Sequence, residues 1–143
     1  MRFRFRLQKM LHFEGLKETI KKGEVAKALD GIKKLEDLRL STQASLQEVL
    51  QDTPRRLGQN ADWVPFQVEK VTQDLAYLKR LAEELERKHQ ELEVLQFELS
   101  RLSMKRKALE NLKEKKKNDF KQTESRHEQK LLDEMFHLNQ RKD

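Results

Sequence analysis

The chain has 143 residues, 39% of them charged and 36% hydrophobic, with four Gly, two Pro and no Cys. Strong helix formers dominate and apolar runs such as 75–78 stop at four residues. This composition excludes a many-layered globular core, a membrane span of about 20 apolar residues and a secretory apolar region of about 7 to 15. Lack of cysteine removes disulfides and thiolate metal sites, which suits a reducing compartment, and a cytoplasmic location is expected. The net charge of +6 is unevenly spread: residues 1–60 carry 13 positive and 8 negative groups, 61–104 carry 6 and 9, and 105–143 carry 12 and 8.

The opening MRFRFRL alternates like a strand, with Phe3, Phe5 and Leu7 opposite Arg2, Arg4 and Arg6, but a lone strand has no pairing partner in a helical chain. A first helix is predicted over about 3–52. Its apolar positions are Leu7, Met10, Leu11, Phe13, Leu16 and Ile20, then Val25, Leu29, Ile32, Leu35, Leu38, Leu46 and Val49. Gly15, Gly23 and Gly31 weaken that helix by about 1 kcal/mol each relative to Ala, and are read as bends or packing accommodations.

Residues 52–63, DTPRRLGQNADW, gather the turn formers. Pro54 disfavours helical geometry at Thr53, Gly58 permits a positive φ, Asp62 suits an N-cap and Pro65 a first turn, so the turn is placed at about 53–62. A second helix is predicted over about 63–139. Its seam alternates four and three through Val64, Val68, Val71, Leu75, Leu78, Ala82, Leu85, His89 and Leu92, slips by one residue, and continues through Leu95, Leu99, Leu102, Arg106 and Leu109. His89 and Arg106 are read as polar residues that fix register.

Two helices joined by one short turn run antiparallel, so the fold class is all-α: one domain over 1–143, a long two-helix antiparallel coiled-coil hairpin. With the turn centred near 58, residue n faces roughly residue 116 minus n. That register sets Glu83, Glu84, Glu86, Glu91, Glu93 and Glu98 opposite Lys21, Lys22, Lys27, Lys33 and Lys34. It also brings Arg2, Arg4, Arg6 and Lys9 beside Lys105, Arg106, Lys107 and Lys113 as one basic collar, and leaves residues from about 115 as a C-terminal helical overhang. On that overhang Phe120, Leu131, Leu132, Met135, Phe136 and Leu138 cluster at helical spacing and call for a protein partner, a second copy of the chain being the plain alternative.

No phosphate loop, zinc motif or nucleophile elbow occurs, and His12, His89, His127 and His137 are scattered, so no enzyme, cofactor or metal site is expected. The collar has too few aromatics for single-stranded nucleic acid, and the basic block is continuous with an antiparallel hairpin instead of forking from a parallel zipper, so no nucleic-acid partner is expected.

Three stretches carry a family resemblance: FRFRLQKML with Phe3, Phe5 and Leu7, ALENLKEKKKNDF with Leu109, Glu110, Leu112 and Glu114, and RHEQKLLDEM with Glu128, Gln129, Lys130, Asp133 and Glu134. In that order they resemble the flagellar FliJ proteins of the bacterial type III export apparatus. The resemblance implies a non-enzymatic coiled coil similar to the stalk of rotary ATP synthases. Such a stalk inserts into the hexameric export ATPase, promotes its assembly, engages the cytoplasmic part of the export gate and handles export chaperones. It implies a cytoplasmic protein, peripheral to the inner membrane at the flagellar base. Carried onto this chain, it puts Phe3, Phe5, Arg126, Gln129, Lys130, Asp133 and Glu134 at the ATPase end, where the apolar cluster adds Leu131, Met135 and Phe136. Gate contacts fall toward the turn, where Trp63, Phe66 and Tyr77 are the candidate aromatics. The equivalent stalk of a virulence-type secretion system shares this architecture, and a self-associating structural coiled coil is the reading from a different class.

Overall fold

In a computed structural model the chain is all-α: helix α1 spans Gln8–Arg56, a single 3-10 turn spans Ala61–Trp63, and helix α2 spans Val64–Arg141. The structure describes residues 2–56, 58 and 61–142, with side chains for all of these but Arg56 and Ala61. Met1, Leu57, Gln59, Asn60 and Asp143 lie outside the described residues, and with them part of the expected turn. The two long helices pack against each other as a helical hairpin, and no strand occurs among the described residues.

Both ends of α1 differ from expectation. The helix starts at Gln8, five residues later than predicted, and the preceding arm has no regular secondary structure over residues 2–5. The arm closes in a turn in which the Gln8 N–H donates to the Phe5 carbonyl at 3.1 Å and the Leu11 N–H to the Leu7 carbonyl at 2.9 Å. Its alternation survives as burial: Phe3, Phe5 and Leu7 are half-buried while Arg2, Arg4 and Arg6 are exposed. At the other end α1 runs through Pro54 to Arg56. Pro54 withholds only the N–H that would meet the Leu50 carbonyl, a small loss so close to a helix end. Thr53 stays helical, with its Oγ1 donating to the Val49 carbonyl at 2.9 Å. Gln67 of α2 then clamps this last turn, its Nε2 donating to the Val49 carbonyl at 3.1 Å and to Thr53 Oγ1 at 2.8 Å. Asp62 lies inside the 3-10 turn instead of capping α2 directly, Pro65 occupies the first turn of α2, and Gly58 does not use a positive φ.

Burial along each helix traces a seam with unbroken alternation of three and four. On α2 it runs through Gln67, Val71, Asp74, Leu78, Leu81, Leu85, Lys88, Leu92, Leu95, Leu99, Leu102, Arg106, Leu109 and Lys113. The expected slip near Leu92 is therefore absent: Asp74, Leu81 and Lys88 hold the positions assigned to Leu75, Ala82 and His89, all three of which are exposed, as are Val64 and Val68. On α1 the seam runs through Leu11, Glu14, Glu18, Lys21, Val25, Ala28, Ile32, Leu35, Arg39, Thr42, Leu46, Val49 and Thr53. Met10, Phe13, Leu16, Ile20, Leu29 and Leu38, expected in the seam, face solvent. A heptad seam is fixed by its best-packed layers, and polar side chains whose stems reach the edge are carried into register with them.

The chain divides into two compact units. The first combines Met1–Ile20 with Leu99–Asp143, and the second is Lys21–Glu98. In the second, Ile32, Leu85 and Leu92 form a buried cluster against Val25, Ala28 and Leu35. Lys21 Nζ there reaches Glu98 and Glu24, each at 2.9 Å, and His89 Nε2 lies 3.9 Å from Glu36. Among the expected charge pairs, Lys21 with Glu98 joins the helices directly. Cross-helix partners depart unevenly from the expected register: Val49 with Gln67 fits it, Lys21 with Glu98 lies nearly one turn further along α2, and Glu36 with His89 more than two turns. A methyl group at Gly15, Gly23 or Gly31 would meet nothing within 4 Å, so none of these glycines marks a close helix approach.

Candidate interaction site

In the first unit the arm lies over α2. The Phe3 and Phe120 rings meet at 5.6 Å between centroids with a tilt of 48°. Phe3, Phe5, Leu7, Leu112, Lys116 and Phe120 line an open groove of about 650 Å³ together with Arg4 and Arg6. Beside it, Arg4, Arg6, Lys9, Lys113 and Lys117 line a second groove with Phe3, Phe5 and Gln8. Neither lining contains an acidic residue, so apolar floors sit under cationic walls. Of the collar expected from the sequence, Arg4, Arg6, Lys9 and Lys113 line these grooves, whereas Arg2, Lys105 and Lys107 do not, and Lys116 and Lys117 take part instead. Arg106 is not part of it.

Arg106 instead lies in the seam. Its Nε donates to Glu18, which is 4% exposed, and its Nη1 to Glu110 at 2.7 Å. The hydrogen bond to Glu18, then that to Glu110, raises the guanidinium pKa above its ordinary value. The Lys21 ammonium is likewise raised from 10.5 by its bond to Glu98, then by Glu24. One turn before Glu18, Glu14 is also buried, 3.6 Å from Lys17, and its Oε2 has no hydrogen-bond partner.

Past Glu124 every described residue of α2 is exposed. Helical steps of 100° gather Leu131, Leu132, Met135, Phe136 and Leu138 on one side, all uncovered, with Lys130, Asp133 and Glu134 turned away from them. Arg126 and Gln129 are exposed on the same stretch. The structure therefore puts Phe3 and Phe5 in the first unit with the exposed C-terminal residues, but Phe3 is already packed on Phe120.

The aromatics chosen near the turn fall differently. Trp63 is half-buried and shares a shallow groove with Val49, Asp52, Phe66, Gln67 and Lys70. Phe66 is exposed, and Tyr77, also exposed, lies outside that groove. Eleven residues apart, Phe66 and Tyr77 occupy one face of α2, about 16 Å from each other.

Sequence reasoning missed Leu112 and Lys116 as the floor and wall of the arm groove, and missed the inward turn of Glu14 and Glu18. A signal existed for the latter. Counting back from Val25 in steps of four and three gives Lys21, Glu18, Glu14 and Leu11, and Arg106 in the opposite seam requires a carboxylate. Among the described residues no group of three His, Cys, Asp or Glu could hold a metal, and no helix is long and apolar enough to cross a membrane. Compared with models of protein families, with curated proteins and with solved structures, the chain matches none.

Proposed function

We propose that the chain is a non-enzymatic stalk of the bacterial flagellar type III export apparatus. Its terminal end seats in the hexameric export ATPase and promotes ring assembly, and its turn end reaches the cytoplasmic part of the export gate, with Phe66 and Tyr77 as the contact face. Export chaperones are a further class of partner, and the protein acts in the cytoplasm, peripheral to the inner membrane. The observation that carries this reading is the apolar face of Leu131, Leu132, Met135, Phe136 and Leu138, presented on a helix that nothing covers. Fully burying each side chain contributes about 1.5 to 3 kcal/mol before association costs, enough to anchor a helix in a socket. The cationic walls around Arg4, Arg6, Lys113 and Lys117 supply steering toward an acidic ring mouth.

The test is steady-state ATP turnover and ring assembly by the export ATPase, with and without the full chain, repeated with L131S/M135S/F136S. These side chains are exposed, so helicity should be retained. The expected result is stimulation by the native chain that the triple variant loses. No stimulation, or equal stimulation by both forms, overturns the proposal; a concentration-dependent dimer in sedimentation that the same substitutions abolish assigns the face to a second copy instead.

A further inference from the structure

Residues 1–22 carry seven Lys and Arg against two acids, Glu14 and Glu18. The fold turns both acids into the seam, where Glu14 is 8% and Glu18 4% exposed, so that Glu24 is the first exposed carboxylate from the N-terminus. On the opposite side of α1 the helical repeat aligns Phe13, Leu16 and Ile20, which are 56%, 50% and 64% exposed. Lys9 precedes this row in line with it and Lys17 flanks it, with Lys17 Nζ 4.5 Å from the centroid of the Phe13 ring. The outer surface of the segment is therefore an apolar stripe with Lys9 in line ahead of it and Lys17 along one edge, and with its acids withdrawn.

A water-facing helix ordinarily shows the reverse, with apolar residues inward and charges of both signs outward. A stripe of Phe and Leu with basic flanks is what lies in the headgroup plane of an anionic bilayer, where apolar side chains enter the acyl boundary and each cation adds attraction to the lipid charge. Arg4 and Arg6 of the arm, on the groove wall shared with Lys9, extend the cationic margin.

We infer that the outer face of α1 from Lys9 to Ile20, together with the arm, binds an anionic lipid bilayer surface. The experiment is co-sedimentation of the full chain with vesicles of phosphatidylcholine alone and of phosphatidylcholine mixed with phosphatidylglycerol. The mixed vesicles should bind at least about tenfold more tightly, and both R4Q/R6Q/K9Q and F13S/L16S/I20S should weaken that binding about tenfold or more. Phe13, Leu16 and Ile20 lie outside the seam, so circular dichroism of the serine variant should match the native chain. Equal binding to neutral vesicles, full retention by the serine variant, or displacement by inorganic phosphate overturns the inference, the last two by reducing it to adsorption of any polyanion or to a phosphate site. No ATPase or gate is present in this assay, so its failure and that of the export reading are distinguishable.

Discussion

At Glu18 a carboxylate occupies a seam position where a coiled coil ordinarily carries an aliphatic residue. Taking a carboxylate out of water is unfavourable unless a cation accompanies it, and Arg106 from the opposite seam does so while keeping its other arm on Glu110. Such a pair adds little to stability compared with two aliphatic residues, but it makes each partner dependent on the other and penalises any register that separates them. Removing the cation alone should therefore be the most damaging change. Thermal unfolding of Arg106→Met is expected to show a lower Tm than Glu18→Leu, and the double variant Glu18→Leu with Arg106→Leu should melt above Arg106→Met. Additive losses in the double variant would show that the two side chains act independently.

The arm, α1 and α2 were legible to different degrees. The alternation of residues 2–7 was plain in the sequence, yet its partner was not, because strand-like spacing directs attention to another strand and the surface it covers is a helix face at Leu112, Lys116 and Phe120. The leucines at 78, 85, 92, 95, 99, 102 and 109 marked the α2 seam correctly. Leu75 and Leu81, however, offered competing registers, and the apolar pattern alone favoured the wrong one because it counted Asp74 and Lys88 as interruptions. The long stem of Lys88 lets it sit at a seam edge with its charge in water, and half-buried Asp74 holds a seam position that its polarity conceals. In α1 the same effect concealed a whole stretch: apolar Phe13, Leu16 and Ile20 drew the seam to the side that faces out. The arm supplies the test at this scale. An aromatic pair is worth about 0.5 to 1.5 kcal/mol beyond its buried area, so Phe120→Ala should loosen residues 2–7 while leaving helix content unchanged. Limited trypsin digestion is expected to cut at Arg4 and Arg6 up to about tenfold faster in that variant. An unaltered cleavage rate would mean that Phe120 does not hold the arm.

Across the whole chain, burial is distributed by kind as well as by amount. Among the described residues, the buried hydrophobic Ile32, Leu46, Leu81, Leu85 and Leu92 all belong to the Lys21–Glu98 unit, whereas the buried residues of the other unit are Glu14 and Glu18. A buried leucine contributes about 1.5 to 3 kcal/mol, and a seam that replaces it with an ion pair has less to lose on opening. Local opening should then be easier where the arm, the exposed stripe and the C-terminal apolar face reside, which are the surfaces assigned to partners. Native-state hydrogen exchange reads this directly. Backbone amides of α1 between 25 and 49 are expected to exchange at least about tenfold more slowly than those between 12 and 20, well clear of the fraying first turn. Equal protection would mean that the polar seam is held as firmly as the aliphatic one, so that binding at the terminal end meets a rigid surface; the expected gradient would instead let that end repack on a partner while the aliphatic unit keeps the two helices in register.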